Sequence, residues 1–198
     1  APHGVAQPSP RPTPARNTTG YDYAQSKISG FTHTNLDGVG GSGGGGALLV
    51  VPPSGSYTAR PGTGSYAHPF SHDDEDAGPG FYSVELGNVA GTDGAITGAP
   101  GTIEAEVAAT TRSGVHRYAF PAGSTPSLVV DLETNNTSRR SSSVQAETRA
   151  DGTVELSGQV TGYFYNAAYT LYYTARTLQP ATVQTSGHAA KLVDPTSQ

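Results

Sequence analysis

Three kinds of side chain in this sequence have the chemistry to act on a ligand: carboxylates, imidazoles and a dense group of tyrosines. Of the 16 Asp and Glu, four stand together at Asp73-Asp74-Glu75-Asp76, directly after His72. Carboxylate oxygens suit Ca²⁺, but the Asp-x-Asp-x-Asp-Gly spacing of a calcium loop is missing. The cluster therefore reads as a solvated loop. A glycosidase sets a protonated acid and a base or nucleophile across a cleft, and spacing alone selects no such pair here. The six His are His3, His33, His68, His72, His116 and His188. None falls in His-x-x-x-His or His-Glu-x-x-His spacing, which argues against zinc. No nucleophile elbow supports a serine hydrolase. The absence of Cys removes thiolate metal sites, disulfides and cysteine nucleophiles. Tyr163, Phe164, Tyr165, Tyr169, Tyr172 and Tyr173 crowd one short stretch. Aromatic faces stack on sugars, so a carbohydrate platform is one reading. The favoured one puts about half of these rings in a core and the rest on its surface.

The elements that position these groups must be strands. Gly (26) and Pro (15) make about a fifth of the 198 residues, and both break helices. Hydrophobic residues are only 34%, but the 11 Tyr and 5 Phe among them are large and supply apolar area for a core. The longest apolar run, Ala47 to Val51, is far too short to span a membrane. A net charge of −5 argues against electrostatic capture of nucleic acid. The chain opens on Ala1-Pro2-His3 without Met or a signal peptide, as a processed, secreted protein does. High Gly, Ala and Thr without Cys point to an exported bacterial protein.

Alternation defines the strands. Runs are expected at Ala47–Val51, Phe81–Leu86, Val115–Phe120 and Ser127–Glu133. In residues 102–112, Ile103, Ala105, Val107 and Ala109 share one face and Glu104 and Glu106 the other. Val144–Ala150 and Thr153–Val160 flank Asp151-Gly152, the signal of a two-residue type I′ hairpin. Tyr169–Thr177 closes the series. With no helical period between them, these runs predict an all-β fold, an antiparallel two-sheet β-sandwich. The chain after Thr185 is expected to fray. By composition the Pro-rich start reads as a polyproline linker. Residues 38–46 read as a Gly/Ser linker or as a tight loop; the loop is favoured, because residues 1–37 are too few for a core of their own.

Residues 30–40, Gly-Phe-Thr-His-Thr-Asn-Leu-Asp-Gly-Val-Gly, resemble the Gly-Phe-Ser-His-Thr-His-Leu-Ser-Gly-x-Gly signature of glycoside hydrolase family 92, the exo-α-mannosidases. The resemblance continues in register. Tyr21-Asp-Tyr23 is similar to the element before that signature. Phe70-Ser-His-Asp-Asp-Glu75 and Pro79-Gly-Phe-Tyr-Ser-Val84 resemble the family's Phe-Ser-His-x-x-Glu and Pro-Gly-Tyr-Tyr-Ser-Val. Gly114-Val-His-Arg-Tyr118 resembles its Gly-x-His-Arg-Tyr. The start, Pro2 to Pro10, looks like a family strand and turn, so the resemblance implies order there where composition implies a linker.

Family members are two-domain enzymes that invert the anomeric centre and use Ca²⁺. The resemblance therefore implies that acid, base and calcium ligands lie in a helical (α/α)₆ domain outside these residues. No catalytic or metal residue is then expected in this chain, and no cofactor of its own. Residues 1–185 are expected to form the sandwich and 186–198 a polar tail. The implied substrate-binding set is His33, Asn35, Asp37, Gly38 and Gly40, on a loop facing the catalytic domain. Asn35 stands where the family carries a second His. The implied partners are that catalytic domain and a mannose-containing glycan. The alternative is a free-standing secreted sandwich that binds glycan or a protein.

Overall fold

The computed structural model describes residues 4–13, 20–35, 45–53, 66–87, 101–134, 138–164 and 167–195. Fourteen strands are defined among them: β1 (Ser9–Pro12), β2 (Lys27–Thr32), β3 (Leu49–Val51), β4 (His68–Pro69), β5 (Glu75–Gly78), β6 (Phe81–Gly87), β7 (Thr102–Ala109), β8 (Gly114–Ala119), β9 (Ser127–Asp131), β10 (Ser138–Thr148), β11 (Val154–Phe164), β12 (Ala167–Arg176), β13 (Thr182–Ser186) and β14 (Ala189–Val193). Helical structure among these residues is limited to one 3₁₀ turn, His72–Asp74, and to Pro195 near the C-terminus.

A seven-stranded sheet runs β1-β2-β3-β9-β14-β13, with β4 also on β2. The second layer is divided into a four-stranded sheet, β5-β6-β7-β8, and a three-stranded sheet, β10-β11-β12. Every strand pairing is antiparallel. The all-β antiparallel sandwich predicted from alternation is therefore what forms, with one layer split in two.

Each small sheet closes its own core. Ile28 and Phe31 of β2 pack on Tyr82, Val84 and Leu86 of β6 and on Ile103, Ala105 and Val107 of β7. These inward residues recur every second position, which is why the segment forms strands rather than helix. The second core joins Val130, Leu132, Ala190 and Leu192 to Val154, Leu156 and Val160. The opposite face of the large sheet is also covered: Leu49, Val51 and Val129 pack on Tyr66, which is wholly buried. This gives β9 its continuous apolar sequence. The tyrosines of β12 divide by parity. Tyr169 and Tyr173 turn inward over Gly162 and Gly158, while Tyr172 stands 79% exposed.

Three local expectations change. The tail expected to fray after Thr185 contains the last residue of β13 and all of β14; β14 pairs with β9 from Ala189↔Asp131 to Val193↔Ser127 and buries Ala189, Ala190 and Leu192. Their small, sparse side chains hide the strand in the sequence. The 151–152 hairpin is not a two-residue type I′ turn. Gly152 N donates to Arg149 O (2.9 Å) and Arg149 N to Thr153 O (2.8 Å), with Gly152 at φ +80. That is a three-residue loop in which Gly152 serves as the left-handed bulge. The Pro-rich start is not a free linker where it is described, since β1 pairs with β2 from Ser9↔Thr32.

Candidate functional site

The described part of the signature, residues 30–35, pairs with residues 45–47. Asn35 and Gly45 form a β-bridge. Gly46 N donates to Thr34 O (2.7 Å), Ala47 N to Thr34 Oγ1 (3.0 Å) and His33 N to Ala47 O (3.0 Å). Residues 33–35 and 45–47 therefore hold both ends of segment 36–44. Only glycine fits at the exit: Gly45 has φ +74, and a Cβ there would lie 1.7 Å from Thr34 O. Asn35 is buried and locks the entrance, its Nδ2 donating to Gln7 O (3.0 Å) and its Oδ1 accepting from Thr32 Oγ1 (3.2 Å).

Behind this pairing lies a chain of three polar rings and a carbonyl. His33 Nδ1 is 2.6 Å from Leu48 O, His33 Nε2 is 2.7 Å from His116 Nε2, and His116 Nδ1 is 2.8 Å from Tyr118 Oη. A carbonyl only accepts, so His33 carries its hydrogen on Nδ1 and Nε2 is left to accept. His116 must then donate from Nε2 and accept at Nδ1, where Tyr118 O–H donates. The chain runs one way, with both imidazoles neutral. Burial lowers the pKa of His33 against a smaller opposing effect of the Leu48 bond. Burial, and secondarily His33, pushes that of His116 down to about 3. Burial raises the Tyr118 phenol well above its ordinary value. Leu48, at the far end, has φ +58, the only left-handed backbone among the described non-glycine residues. The expected strand Ala47–Val51 accordingly starts at Leu49, because Leu48 turns its carbonyl to the His33 ring.

A second network joins the remaining motifs. Glu75 Oε1 accepts from Tyr21 Oη (2.5 Å) and lies 2.6 Å from His72 Nδ1, while Glu75 Oε2 accepts from Tyr82 Oη (2.7 Å). Burial alone would raise the Glu75 pKa, but the bonds from Tyr21, His72 and Tyr82 outweigh it and hold the carboxyl below its usual value. Burial and the Glu75 carboxylate raise both phenols. Tyr23, 68% exposed, stacks on His72 with ring centroids 4.0 Å apart. The acidic cluster is thus not one solvated loop. Asp73, Asp74 and Asp76 face water, but Glu75 begins β5 and its side chain turns toward the Tyr82 hydroxyl.

Phe31 connects the two networks, since its ring lies 6.2 Å from those of Tyr82 and Tyr118 and 6.0 Å from that of His116. Motifs from residues 21 to 118 therefore meet in one place. Of the residues assigned to substrate, His33 and Asn35 are brought together here with their polar atoms committed inside the domain. Asp37, Gly38 and Gly40 lie outside the described residues. Sequence reasoning missed Glu75, Tyr82, His116 and Tyr118 as interacting groups, although each stands within a motif it quoted.

The chain matches the glycosyl hydrolase family 92 N-terminal domain over residues 1–197. It belongs to that family. Among solved structures, the gh92 family glycosyl hydrolase ccman5 is 82% identical over 99% of this chain, with a TM-score of 0.91. The family 92 α-mannosidase BT3965 from Bacteroides thetaiotaomicron is 23% identical over 96% of the chain, with a TM-score of 0.65. The inverting mannosidase BT2199 from the same species is 19% identical over 96%, with a TM-score of 0.51. The last two share the fold. A search of curated proteins finds no match. The family 92 domain covers 28% of the ccman5 and BT3965 chains and 26% of BT2199.

Proposed function

We propose that the family 92 domain is the non-catalytic N-terminal part of a secreted bacterial exo-α-mannosidase that is calcium-dependent and inverting. It supports a helical catalytic domain in the same polypeptide and carries loop 36–44, with Asp37, Gly38 and Gly40, toward the glycan site. His33 and Asn35 serve that site by fixing the two ends of the loop. The observation that carries this reading is the 82% identity to a hydrolase of which these residues cover only 28%. The activities of BT3965 and BT2199, α-mannosidase and inverting mannosidase, suggest the substrate and the stereochemistry.

Inverting hydrolysis needs an acid and a base about 6.5–9.5 Å apart on opposite sides of the sugar. Asp73, Asp74 and Asp76 face water, and other carboxylates of the described residues serve other ends. Glu75 gathers two tyrosines and a histidine, and Asp131 caps Glu133 N (2.7 Å) and Thr134 N (3.1 Å). Glu104 and Glu106 pair with Arg117, and Asp151 with Arg176. Among the described residues no three His, Cys, Asp or Glu converge on a point. These residues therefore do not fit a calcium site, and in this reading the ion belongs to the catalytic domain.

The test is turnover of an aryl α-mannoside with Ca²⁺ supplied. The 198-residue chain is expected to be inactive, and a full-length enzyme containing it active. Cleavage by the 198-residue chain that Asp37→Asn abolishes would overturn the reading.

A further inference from the structure

We propose that His116 and Tyr118 are positioning residues for the backbone of residues 46–48, acting through His33 and the Leu48 carbonyl as a clamp that acid opens. The clamp stands on its own geometry, whether or not the functional reading holds.

The one-way hydrogen-bond chain makes each member depend on the next. Tyr118 fixes the tautomer of His116, and His116 fixes that of His33. His33 then holds the Leu48 carbonyl, and with it a left-handed backbone that a leucine otherwise leaves. Leu48 directly follows Gly46, bonded to Thr34, and Ala47, bonded to His33. A group on β8, 83 residues away from His33 in sequence, thereby sets the backbone of residues 46–48.

The same chain has room for few protons. The titratable groups joined in it are His33 from the end of β2 and His116 and Tyr118 from β8, with the Phe31 ring beside them. Arg117, between the two β8 residues, faces the opposite side and pairs with Glu104 and Glu106 of β7. Among the described residues no carboxylate bonds to either imidazole. A first added proton reverses part of the chain and leaves the Tyr118 hydroxyl without its acceptor. A second sets two N–H groups face to face across 2.7 Å and forces the rings apart. The lowered pKa values of both imidazoles agree with this order and keep the clamp shut near neutral pH.

Two measurements on the 198-residue chain test the clamp. Imidazole ¹⁵N spectra of the unaltered protein at pH 7 are expected to find His33 protonated at Nδ1 and His116 at Nε2, neither ring charged. Lowering the pH is expected to charge the rings only below the ordinary His value of about 6.5, and the amides of Gly46 and Ala47 then exchange faster in the same step. His116→Phe removes the donor to His33. It is expected to speed exchange of those two amides about tenfold at pH 7, as the loss of one or two hydrogen bonds does, and to leave β10–β12 unchanged. His116→Gln, whose amide can donate to His33, is expected to restore slow exchange. Opposite tautomers, a ring charged at pH 7, or His116→Phe and His116→Gln exchanging alike would overturn the proposal. The tautomer measurement needs no variant, so it decides even if His116→Phe does not fold. Loss of mannosidase activity plays no part in this test, so the clamp and the functional reading can fail separately.

Discussion

Acidification should destabilise the domain through His68, by an amount the structure sets. The ring is wholly buried, its Nδ1 lies 3.3 Å from Gly87 O, and its Nε2 has no partner among the described residues. A charged imidazole there would bury an N–H with nothing to accept it, so burial pushes the pKa down to about 4, against 6.5 in the unfolded chain. Between those values the unfolded state binds the extra proton. Stability is therefore full above the unfolded pKa and falls as the pH drops through the window. From pH 7.5 to pH 5 the loss from this residue is about 2 kcal/mol. Urea unfolding of wild type and His68→Gln at both pH values isolates it, because His33 and His116 contribute equally to both proteins. The wild type should lose about 2 kcal/mol more than the variant. Parallel losses would refute the reasoning.

Two further outcomes follow from the networks and the strands. Glu75→Gln weakens three bonds to a charged acceptor and should cost about 2 kcal/mol by urea unfolding at pH 7; a change within about 0.5 kcal/mol would mean the cluster is decoration. Deleting residues 187–198 removes β14, leaves the β9 edge unpaired and uncovers the second core. The shortened chain should lose more than about 3 kcal/mol or aggregate, whereas unaltered melting would restore the frayed tail.

Much of the fold was legible because its signals are local. Ile103, Ala105 and Val107 alternate with exposed neighbours, and a period of two needs no knowledge of the partner strand. The hairpin at Asp151-Gly152 was legible as a turn but not as its type. Gly152 could sit at either left-handed position, and the choice depends on the Arg149–Thr153 pairing. Ala189-Ala190-Lys191-Leu192-Val193 was missed because two of its buried residues are alanines, whose burial leaves little hydrophobic signature. The candidate site was legible as motifs and not as contacts. Nothing near His33 indicates that its partner is residue 116, or near Tyr21 that it meets Glu75. Such pairings arise from sheet topology, which local pattern does not encode.

The division of the second layer also bears on the order of assembly. Strands β5–β8 fall within residues 75–119 and β10–β12 within 138–176, so each small sheet joins sequence neighbours. The large sheet joins β1, starting at Ser9, to β14, ending at Val193. Local pairings close sooner than distant ones. The two meanders should therefore form first, each with an apolar face still bare, and the large sheet should complete both cores afterwards. On the ribosome, Val154, Leu156 and Val160 then wait uncovered until β14 emerges to lie beside β9. That interval, rather than the finished sandwich, is when this domain most needs a chaperone.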